Sequence, residues 1–279
     1  MGSASMVEAS NRAVSGEPRP SATMCVLYQG VNDIEVLMVR RAPSARFMAG
    51  SWVFPGGVVD PGDHSAAAIA CIEGSTDHEL GPWLAAGVRE VVEETGVWLS
   101  DPPFVARVEG DVFVRARGRG LKFTGRRMAY FANWITPTMV PVRFDARFFI
   151  AAIPEKVVPE PDEREIDAAR FVVPRDALEK ARAVEWLVPF PTQRILEQLA
   201  RFSSVEAALD EWRNKRVVAV QPRMRVLPDG ALEVVMPGES GFDELGDVAP
   251  NPDALRRAAQ AAAQRGRPIV EISDCLLYT

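Results

Sequence analysis

The sequence contains few cysteines and histidines, the residues that form disulfide bridges and zinc sites. It has two histidines and three cysteines among 279 residues. Cys25, Cys71 and Cys275 are odd in number, widely spaced and without a metal-ligand pattern, which argues against a disulfide framework and against a zinc site. Free thiols are typical of a reducing compartment, so we expect a cytoplasmic protein.

Long apolar runs and an excess of positive charge are also missing. No apolar run approaches the roughly 20 residues of a membrane span. The first twenty residues lack the apolar core of a secretion signal, and the final Leu-Tyr-Thr differs from a Ser-Lys-Leu type address. The formal net charge of -6 argues against a dedicated nucleic-acid binder. It leaves open an anionic small-molecule substrate that is bound by local positive charge.

A hydrophobic content of 47% is enough to bury one large domain or two small ones. β-type runs alternate with runs of helical spacing, which predicts an α/β fold. We expect a disordered leader at 1–20, a main domain at 21–238 and an acidic, alanine-rich tail at 239–279. Strands are expected at 22–28, 34–40, 127–135, 147–153 and 170–173, with short extended runs at 217–220 and 232–235. Helices are expected at 65–72, 83–95, 176–183, 192–202 and 204–213.

The helix expected at 83–95 has one acidic face. At 100° per residue, Glu90, Glu93 and Glu94 share an arc of about 100°. The opposite side carries the core residues Leu84, Val88, Val91, Val92 and Thr95. Carboxylates packed this closely repel one another unless cations lie between them, and hard divalent ions prefer carboxylate oxygens. We interpret the cluster as a metal site; the alternative is a solvated acidic helix face.

Three features of the surrounding sequence favour the metal site. Arg89 stands beside the first Glu, Gly96 is placed to end the helix, and a Phe-Pro-Gly-Gly turn at 54–57 lies upstream. The glycines matter because a backbone carbonyl can reach a metal only where no side chain intervenes.

The run from Arg89 to Val97 resembles the second half of the Nudix box at every defined position. The general form of that box is Gly, five residues, Glu, seven residues, then Arg-Glu-apolar-x-Glu-Glu-x-Gly-apolar. Its first half departs from the family, because Asp63 stands where the family has Glu and about eighteen extra residues precede Arg89. A loop insertion is tolerated because loop-closure entropy grows slowly with length.

The resemblance implies the roles of the box residues. Mg²⁺ or Mn²⁺ would be held by Glu90, Glu93, Glu94 and the Gly56 carbonyl, and a bound water would attack phosphorus. Arg89 would orient a box carboxylate through a salt bridge. The cofactor would thus be a divalent metal ion, and Glu93 and Arg89 would be central to catalysis.

The general base is the least defined of these roles. The family often draws a catalytic or ligating Glu from a downstream loop, and Glu163 and Glu165 lie in such a loop just before a strand. We choose Glu165. A solvated acidic loop and a box Glu acting as the base are the open alternatives.

The stretch before the box carries a second signature. Leu37 to Ala42, then Arg46, Gly50 and the 54–57 turn, is similar to the signature of coenzyme A diphosphatases within the Nudix family, with Val39 in place of Thr. Guanidinium groups bind phosphate oxygens in bidentate fashion, so Arg40, Arg41 and Arg46 are candidate substrate-binding residues. The alternative is that they are ordinary surface charges.

The segments 129–137 and 143–149 resemble the insertion-bearing branch that includes the animal peroxisomal coenzyme A diphosphatases. The branch similarity runs from about residue 22 to 238. It implies an α/β/α sandwich with a mixed sheet, an insertion inside the box and additional C-terminal helices. The implied reaction is hydrolysis of the diphosphate of coenzyme A or acyl-CoA to 3′,5′-ADP and (acyl) 4′-phosphopantetheine. The partner would be a small nucleoside diphosphate, with no membrane and no nucleic acid, and a homodimer is left open.

Several alternatives remain at this point. The substrate could be another nucleoside diphosphate derivative such as NADH, ADP-ribose or capped RNA, or the chain could be a nucleotide-binding module without activity. The arginines at 115–120, with Lys122, Arg126 and Arg127, could contact polyphosphate or RNA, although a solvated hairpin is the more usual reading. His64 and His78 could touch substrate. Phe131, Trp134, Phe148 and Phe149 could stack on adenine or pack in the core.

Overall fold

The protein is described by a computed structural model, which covers residues 16–45, 48–74, 79–140, 142–213, 215–228 and 232–246. Its strands are β1 (Arg19–Gln29), β2 (Ile34–Arg41), β3 (Trp52–Val53), β4 (Gly56–Val58), β5 (Ile72–Glu73), β6 (Val97–Trp98), β7 (Phe104–Val105), β8 (Phe123–Thr124), β9 (Met128–Ile135), β10 (Phe144–Ile153), β11 (Ile166–Val172), β12 (Ala219–Val220), β13 (Arg223–Val226) and β14 (Leu232–Val235). The helices are α1 (Ala66–Ile69), α2 (Gly81–Thr95), α3 (Val112–Gly118), α4 (Pro174–Arg182), α5 (Phe190–Leu199) and α6 (Val205–Arg213). Short 3-10 turns occur at Pro61–His64, Gly125–Arg127 and Asp243–Leu245.

The chain divides into two compact units. The larger comprises Pro20–Asn133 and Ala146–Val218, and the smaller comprises Met1–Arg19, Trp134–Asp145 and Ala219–Thr279. Residues 1–15 of the expected leader and 247–279 of the expected tail lie outside the described residues.

The smaller unit contains the antiparallel hairpin of β13 and β14. Arg223 fastens the following 3-10 turn to this hairpin: its guanidinium donates to the Phe242 carbonyl at 2.6 Å and lies 4.3 Å from the centre of the Phe242 ring. The box residues, the glycine turn, Glu165, Arg40 and Arg41 lie in the larger unit.

The larger unit is built on a mixed sheet with the strand order β11-β2-β1-β10-β9. β1 and β2 form the expected antiparallel hairpin, with Leu27 opposite Val36. β11 pairs antiparallel with the other side of β2 and is the edge strand of this order. β3 and β4 pair with β2 and β1, and they carry the glycine turn onto the sheet.

Helices cover both faces of this sheet. Met24, Cys25, Val26 and Leu27 have no exposed surface, although successive strand side chains point to opposite faces. Met24 and Val26 belong to the core that includes the apolar face of α2. On the other side α4 contacts β2 and packs against α5. The expected α/β/α fold class is therefore confirmed.

Helix α2 is defined by its ends and by its apolar face. Pro82 lies in the first turn, where its missing N–H costs nothing, and Gly96 ends the helix in the left-handed conformation with φ of 67°. The five apolar-face residues predicted from the sequence are all buried: Leu84, Val88, Val91, Val92 and Thr95. The acidic face is thereby turned toward the glycine turn.

The helix expected at 65–72 is shorter than predicted. Ser65 caps it by accepting from the Ala68 N–H at 3.1 Å, but the helix ends at Ile69. Ile72 and Glu73 leave it to pair in parallel with β8, and the Phe123 N–H donates to the Cys71 carbonyl at 2.8 Å. This non-local strand pairing overrides the helical preference of the alanine run.

The arginine run at 115–120 is wrongly predicted as a hairpin. Residues 112–118 form α3, because Asp111 caps its first turn by accepting from Phe113 and Val114 N–H groups at 2.7 and 2.9 Å. Val112, Phe113 and Ala116 are buried and anchor one side of the helix. The arginines of the run remain exposed.

Replacing Gly96 with alanine tests the C-terminal cap of α2. We expect Gly96→Ala to lower the free energy of unfolding by more than the roughly 1–2 kcal/mol that a left-handed alanine costs, because its Cβ would lie 3.3 Å from Val105 Cγ1. Gly120→Ala is the matched control, since Gly120 has φ of 65° and no neighbouring atom within 4 Å. Equal losses in urea unfolding of the two variants would contradict this account.

Candidate active site

The glycine turn brings backbone against the acidic face of α2. A Cβ on Gly56 would lie 2.8 Å from Thr23 Cα, and a Cβ on Gly57 would lie 2.6 Å from the Glu90 carboxyl carbon. The Gly56 N–H donates to Glu94 Oε2 at 3.2 Å. Only glycine leaves room for this approach, so the turn and two box carboxylates form one site.

Arg89 holds three carboxylates together. Its Nε and Nη2 each donate to Asp63 at 3.0 Å, and its Nη1 donates to Glu90 at 2.8 Å and to Glu93 at 2.9 Å. Nη2 also donates to the Val58 carbonyl at 3.0 Å. The Arg89 side chain is 13% exposed, so these charge-assisted bonds are largely shielded from water. The guanidinium therefore sets the orientation of the acidic face.

Asp63 reaches Arg89 from outside the helix. In an uninterrupted box the first-half acid lies eight residues before the arginine, and that position is occupied here by Gly81. Asp63 instead comes from the Pro61–His64 turn, where its carboxylate also accepts from the Asp60 N–H at 2.8 Å. It is 1% exposed and fully engaged. The inserted segment thus leaves the pairing of this acid with the box arginine intact.

The three box carboxylates are short of compensating charge. Burial raises the pKa of Glu90 to about 7, although Arg89 pulls it down, and the Glu93 charge adds to the rise. Burial, followed by the Glu90 charge, raises the pKa of Glu94 well above its ordinary value. Burial also raises the pKa of Glu93. For Arg89, burial alone would lower the pKa, but the Asp63 hydrogen bond and the surrounding carboxylates raise it.

The donor set fits a divalent cation. Among the described residues no three Asp, Glu, His or Cys side chains converge in a ready-made metal geometry, since Glu90 and Glu93 are both turned toward Arg89. The chemistry nevertheless matches, because hard oxygen ligands crowd a buried region in which ionisation is unfavourable. Glu93 is 40% exposed and has the most freedom to change its rotamer. The family to which the motif points generally uses divalent metal ions.

The loop that contains Glu163 and Glu165 is tied to the end of α2. The Asp162 N–H donates to the Glu94 carbonyl at 3.0 Å, and the Asp162 carboxylate accepts from the Ile166 N–H at 2.8 Å. The Glu165 charge contributes to the raised pKa values of Glu90 and Glu94, so this carboxylate is near both. Glu165 is exposed. Its role as the base stays a prediction.

The two candidate substrate arginines that the structure describes, Arg40 and Arg41, point to opposite faces of the sheet. Arg41 corresponds to the fixed arginine of the coenzyme A signature, and its positive charge lowers the pKa of Glu94, so it lies near the box. Arg40 is its neighbour on the strand and therefore points to the other face. There it donates to both carboxylate oxygens of Asp167 at 2.7 and 3.0 Å. Arg46 lies outside the described residues.

Sequence reasoning missed Asp167. The two partners are 127 residues apart, and no local pattern links them. The ion pair occupies the Arg40 guanidinium, which was predicted from the sequence to bind substrate phosphate, so Arg40 is less available for that task. Substrate binding by either arginine stays a prediction.

The remaining candidates are less closely connected with this site. His64 is exposed next to Asp63, and His78 lies outside the described residues. The four aromatic candidates are buried in the core, with exposures of 1 to 7%: Phe131, Trp134, Phe148 and Phe149. In the part of the chain that the structure describes, no helix is long and apolar enough to cross a membrane.

Comparisons with known proteins agree with this geometry. A family model described as the NUDIX domain matches residues 18–70, which run from β1 through the glycine turn to α1. Nudix hydrolase 7 of Caenorhabditis elegans is 24% identical over 73% of this chain and 68% of its own length. The acyl-coenzyme A diphosphatase NUDT19 of Xenopus laevis is 21% identical over 78% of this chain and 73% of its own length.

A solved structure shares the fold. The crystal structure of a NUDIX hydrolase from Alicyclobacillus acidocaldarius is 28% identical, with a TM-score of 0.61. It is matched over 99% of its length by 72% of this chain. The α/β/α sandwich described above is therefore the fold of that structure.

Exchanging Asp63 for asparagine tests the pairing with Arg89. We expect Asp63→Asn to lower the free energy of unfolding by up to about 3–5 kcal/mol, because a buried arginine loses its charged partner. Asp60→Asn is the control: Asp60 is 63% exposed and 3.9 Å from Arg89, so its loss should cost less than about 1 kcal/mol. Thermal and urea unfolding measure both; a mild Asp63 variant would show that the pairing is not structural.

Proposed function

Because this chain belongs to the Nudix family of hydrolases and acts on pyrophosphate bonds, we propose that its substrate is coenzyme A or an acyl ester of coenzyme A. The products would be 3′,5′-ADP and (acyl) 4′-phosphopantetheine. The observation that supports this most is Arg41, the fixed arginine of the coenzyme A signature, which lies close enough to lower the pKa of the buried box residue Glu94. The name of the Xenopus laevis relative, an acyl-coenzyme A diphosphatase, points the same way.

We propose Mg²⁺ or Mn²⁺ as the divalent cation. The residues that would hold it are Glu90, Glu93 and Glu94, with the Gly56 carbonyl beside them. When bound, such an ion neutralises the charge of a diphosphate and lowers the pKa of a water molecule. The three box carboxylates there all have raised pKa values, so binding a cation would relieve an existing repulsion.

The protein's own contribution begins with orientation. Arg89 fixes Glu90 and Glu93, and Asp63 fixes Arg89. Glu94 is buried and accepts from the Gly56 N–H, which positions its carboxylate beside the glycine turn. Preset geometry of this kind spares reorganisation when the substrate binds.

Hydrolysis requires one proton acceptor and one leaving group. The oxygen of a water molecule attacks phosphorus, and the bond between that phosphorus and the bridging oxygen breaks, with the electron pair leaving on the bridging oxygen. Glu165 is exposed, lies near Glu90 and Glu94, and would take the proton of the water. A box carboxylate such as Glu90 is the alternative acceptor.

We propose that arginines bind the phosphate groups of the substrate. Arg41 would bind the diphosphate beside Glu94, and Arg46 would be the reader of the 3′-phosphate. Arg40 would support the strand through its ion pair with Asp167. A cytoplasmic location and a homodimer also remain proposals; the buried free thiols of Cys25 and Cys71 are compatible with a reducing compartment.

A substrate panel with and without EDTA tests the proposed activity. Coenzyme A and acyl-CoA should be cleaved with Mg²⁺ or Mn²⁺, with higher kcat/KM than NADH or ADP-ribose, and EDTA should abolish turnover. Glu93→Gln should lower kcat by at least about 10²-fold, because charge neutralisation and cation affinity fall together. Glu197→Gln, a similarly exposed change on α5, is the control and should be silent.

Three outcomes would contradict the proposal. Preferential cleavage of NADH or ADP-ribose would show that coenzyme A is not the preferred substrate. Unchanged activity of Glu93→Gln would remove the carboxylate cluster from the mechanism. Salt-dependent RNA binding without turnover of any diphosphate would favour a binding protein that uses the arginines of α3.

A further inference from the structure

A cavity of about 260 Å³ opens at the edge of the sheet, away from the box carboxylates. It is formed by β2, β11, α4 and the segment after α4, and its lining includes Glu35, Arg170, Val173, Asp176, Lys180 and Trp186. The mechanism above uses none of these residues. Arg170 lies five residues beyond Glu165, which is about 16 Å of extended strand.

Trp186 gives the cavity a stiff aromatic wall. Its ring stacks on Trp52 with centroids 4.1 Å apart and planes 13° from parallel, and Trp52 is 4% exposed. The backbone holds the pair in place: the Trp186 N–H donates to the Lys180 carbonyl at 3.2 Å, and the Trp52 N–H donates to the Leu187 carbonyl at 2.7 Å. Val184, a β-branched residue, adopts φ of 60° to make this turn. Such a conformation persists only where the surroundings enforce it.

Arg170 supplies an uncommitted cation. Its guanidinium carbon lies 5.0 Å from the centre of the Trp52 ring and 5.9 Å from that of Trp186. Within the described residues its side chain makes no hydrogen bond and no ion pair. A guanidinium has five N–H donors in a planar fork that matches phosphate or carboxylate oxygens. The guanidinium thus lies beside the indole pair, with its donors available within the described part of the chain.

The other charges of the cavity are nearly all paired. Lys180 donates to Glu185 at 3.2 Å, and Lys156 donates to Glu35 at 2.5 Å. Asp176 is exposed and has no ion pair in the described part of the chain. The cavity therefore presents one available guanidinium and one available carboxylate next to an indole face. A ligand that fits it needs an anionic group, N–H donors and a flat ring.

We propose that this cavity binds a mononucleotide whose base carries an exocyclic amine, such as an adenylate. The phosphate would accept from Arg170, the base would stack on Trp186, and the amine would donate to Asp176. The volume is just below the roughly 300 Å³ at which ligand pockets begin, which suits a mononucleotide better than a dinucleotide. The nucleotide could be free, or it could be the nucleotide end of the enzyme's own substrate or product; only the second source rests on the proposed function.

Equilibrium binding of AMP in EDTA tests the site without turnover and without cation-dependent binding at the carboxylates. The full-length protein should bind AMP and quench its tryptophan fluorescence, while adenosine and inorganic phosphate should each bind about tenfold more weakly or worse. Arg170→Ala should weaken AMP binding about tenfold or more. Arg175→Ala is the matched control, because Arg175 is exposed on α4, pairs with Asp33 and does not line the cavity.

A second variant tests the contact with the base. Asp176→Asn should weaken AMP but not inosine monophosphate, which has a carbonyl oxygen where AMP has the amine. Glu93→Gln should bind AMP as tightly as the wild type does, because Glu93 does not line the cavity. The AMP test therefore remains valid even if the proposed hydrolysis is not observed. Absence of saturation up to about 10 mM AMP, or equal losses in Arg170→Ala and Arg175→Ala, would overturn the proposal.

Kinetics distinguish the two sources of the nucleotide. If AMP inhibits hydrolysis competitively, and Arg170→Ala relieves that inhibition, the cavity receives the nucleotide end of the substrate. If AMP alters turnover without competing, and Arg170→Ala again removes the effect, the cavity is a separate site for free nucleotide. Inhibition that survives unchanged in Arg170→Ala would locate AMP elsewhere and would contradict the proposal.

Discussion

The hydrogen bonds of one buried guanidinium organise the site. Arg89 donates hydrogen bonds to Asp63, Glu90 and Glu93 at the same time, and the positions of the surrounding turns depend on these bonds. The glycine turn can approach Glu90 only because Gly57 has no side chain, and the Pro61–His64 turn is fixed to the helix by the carboxylate of Asp63. A buried ion pair of this kind adds little net stability, but removing one partner is costly. Its main effect is therefore to specify geometry.

The same arrangement leaves a deficit of positive charge. Arg89 is bonded directly to Glu90 and Glu93, yet the pKa values of Glu90, Glu93 and Glu94 are all raised. The fold therefore holds three carboxyl groups where their ionisation is unfavourable. The divalent cation that we propose would remove that cost on binding, so part of the free energy that folding spends on crowding would reappear as cation affinity. The sequence motif, the burial of its carboxylates and the preference for a cation thus concern the same three side chains.

Local patterns could be read from the sequence because their causes are local. The apolar face of α2, the Gly96 cap and the hairpin of β1 and β2 follow from periodicity and turn residues, and all three are observed. Counting from Gly57 also singled out Asp63. The failures came from long-range contacts: the pairing of β5 with β8 shortened α1, and Asp167 engaged Arg40 from 127 residues away. The Asp111 cap and the buried side of α3 outweighed the glycines of the arginine run.

The most direct test of the central claim compares Glu94→Gln with the wild type in thermal unfolding at pH 8. Burial raises the pKa of Glu94 in the folded protein above its value in the unfolded chain. The free energy of unfolding therefore falls as the pH rises toward the folded-state pKa. The glutamine side chain does not ionise, so Glu94→Gln does not lose this stability. We predict that Glu94→Gln has the higher Tm in EDTA and that saturating Mg²⁺ reverses the order by stabilising the wild type more. A lower Tm of the variant in EDTA, together with equal shifts on adding Mg²⁺, would contradict the account.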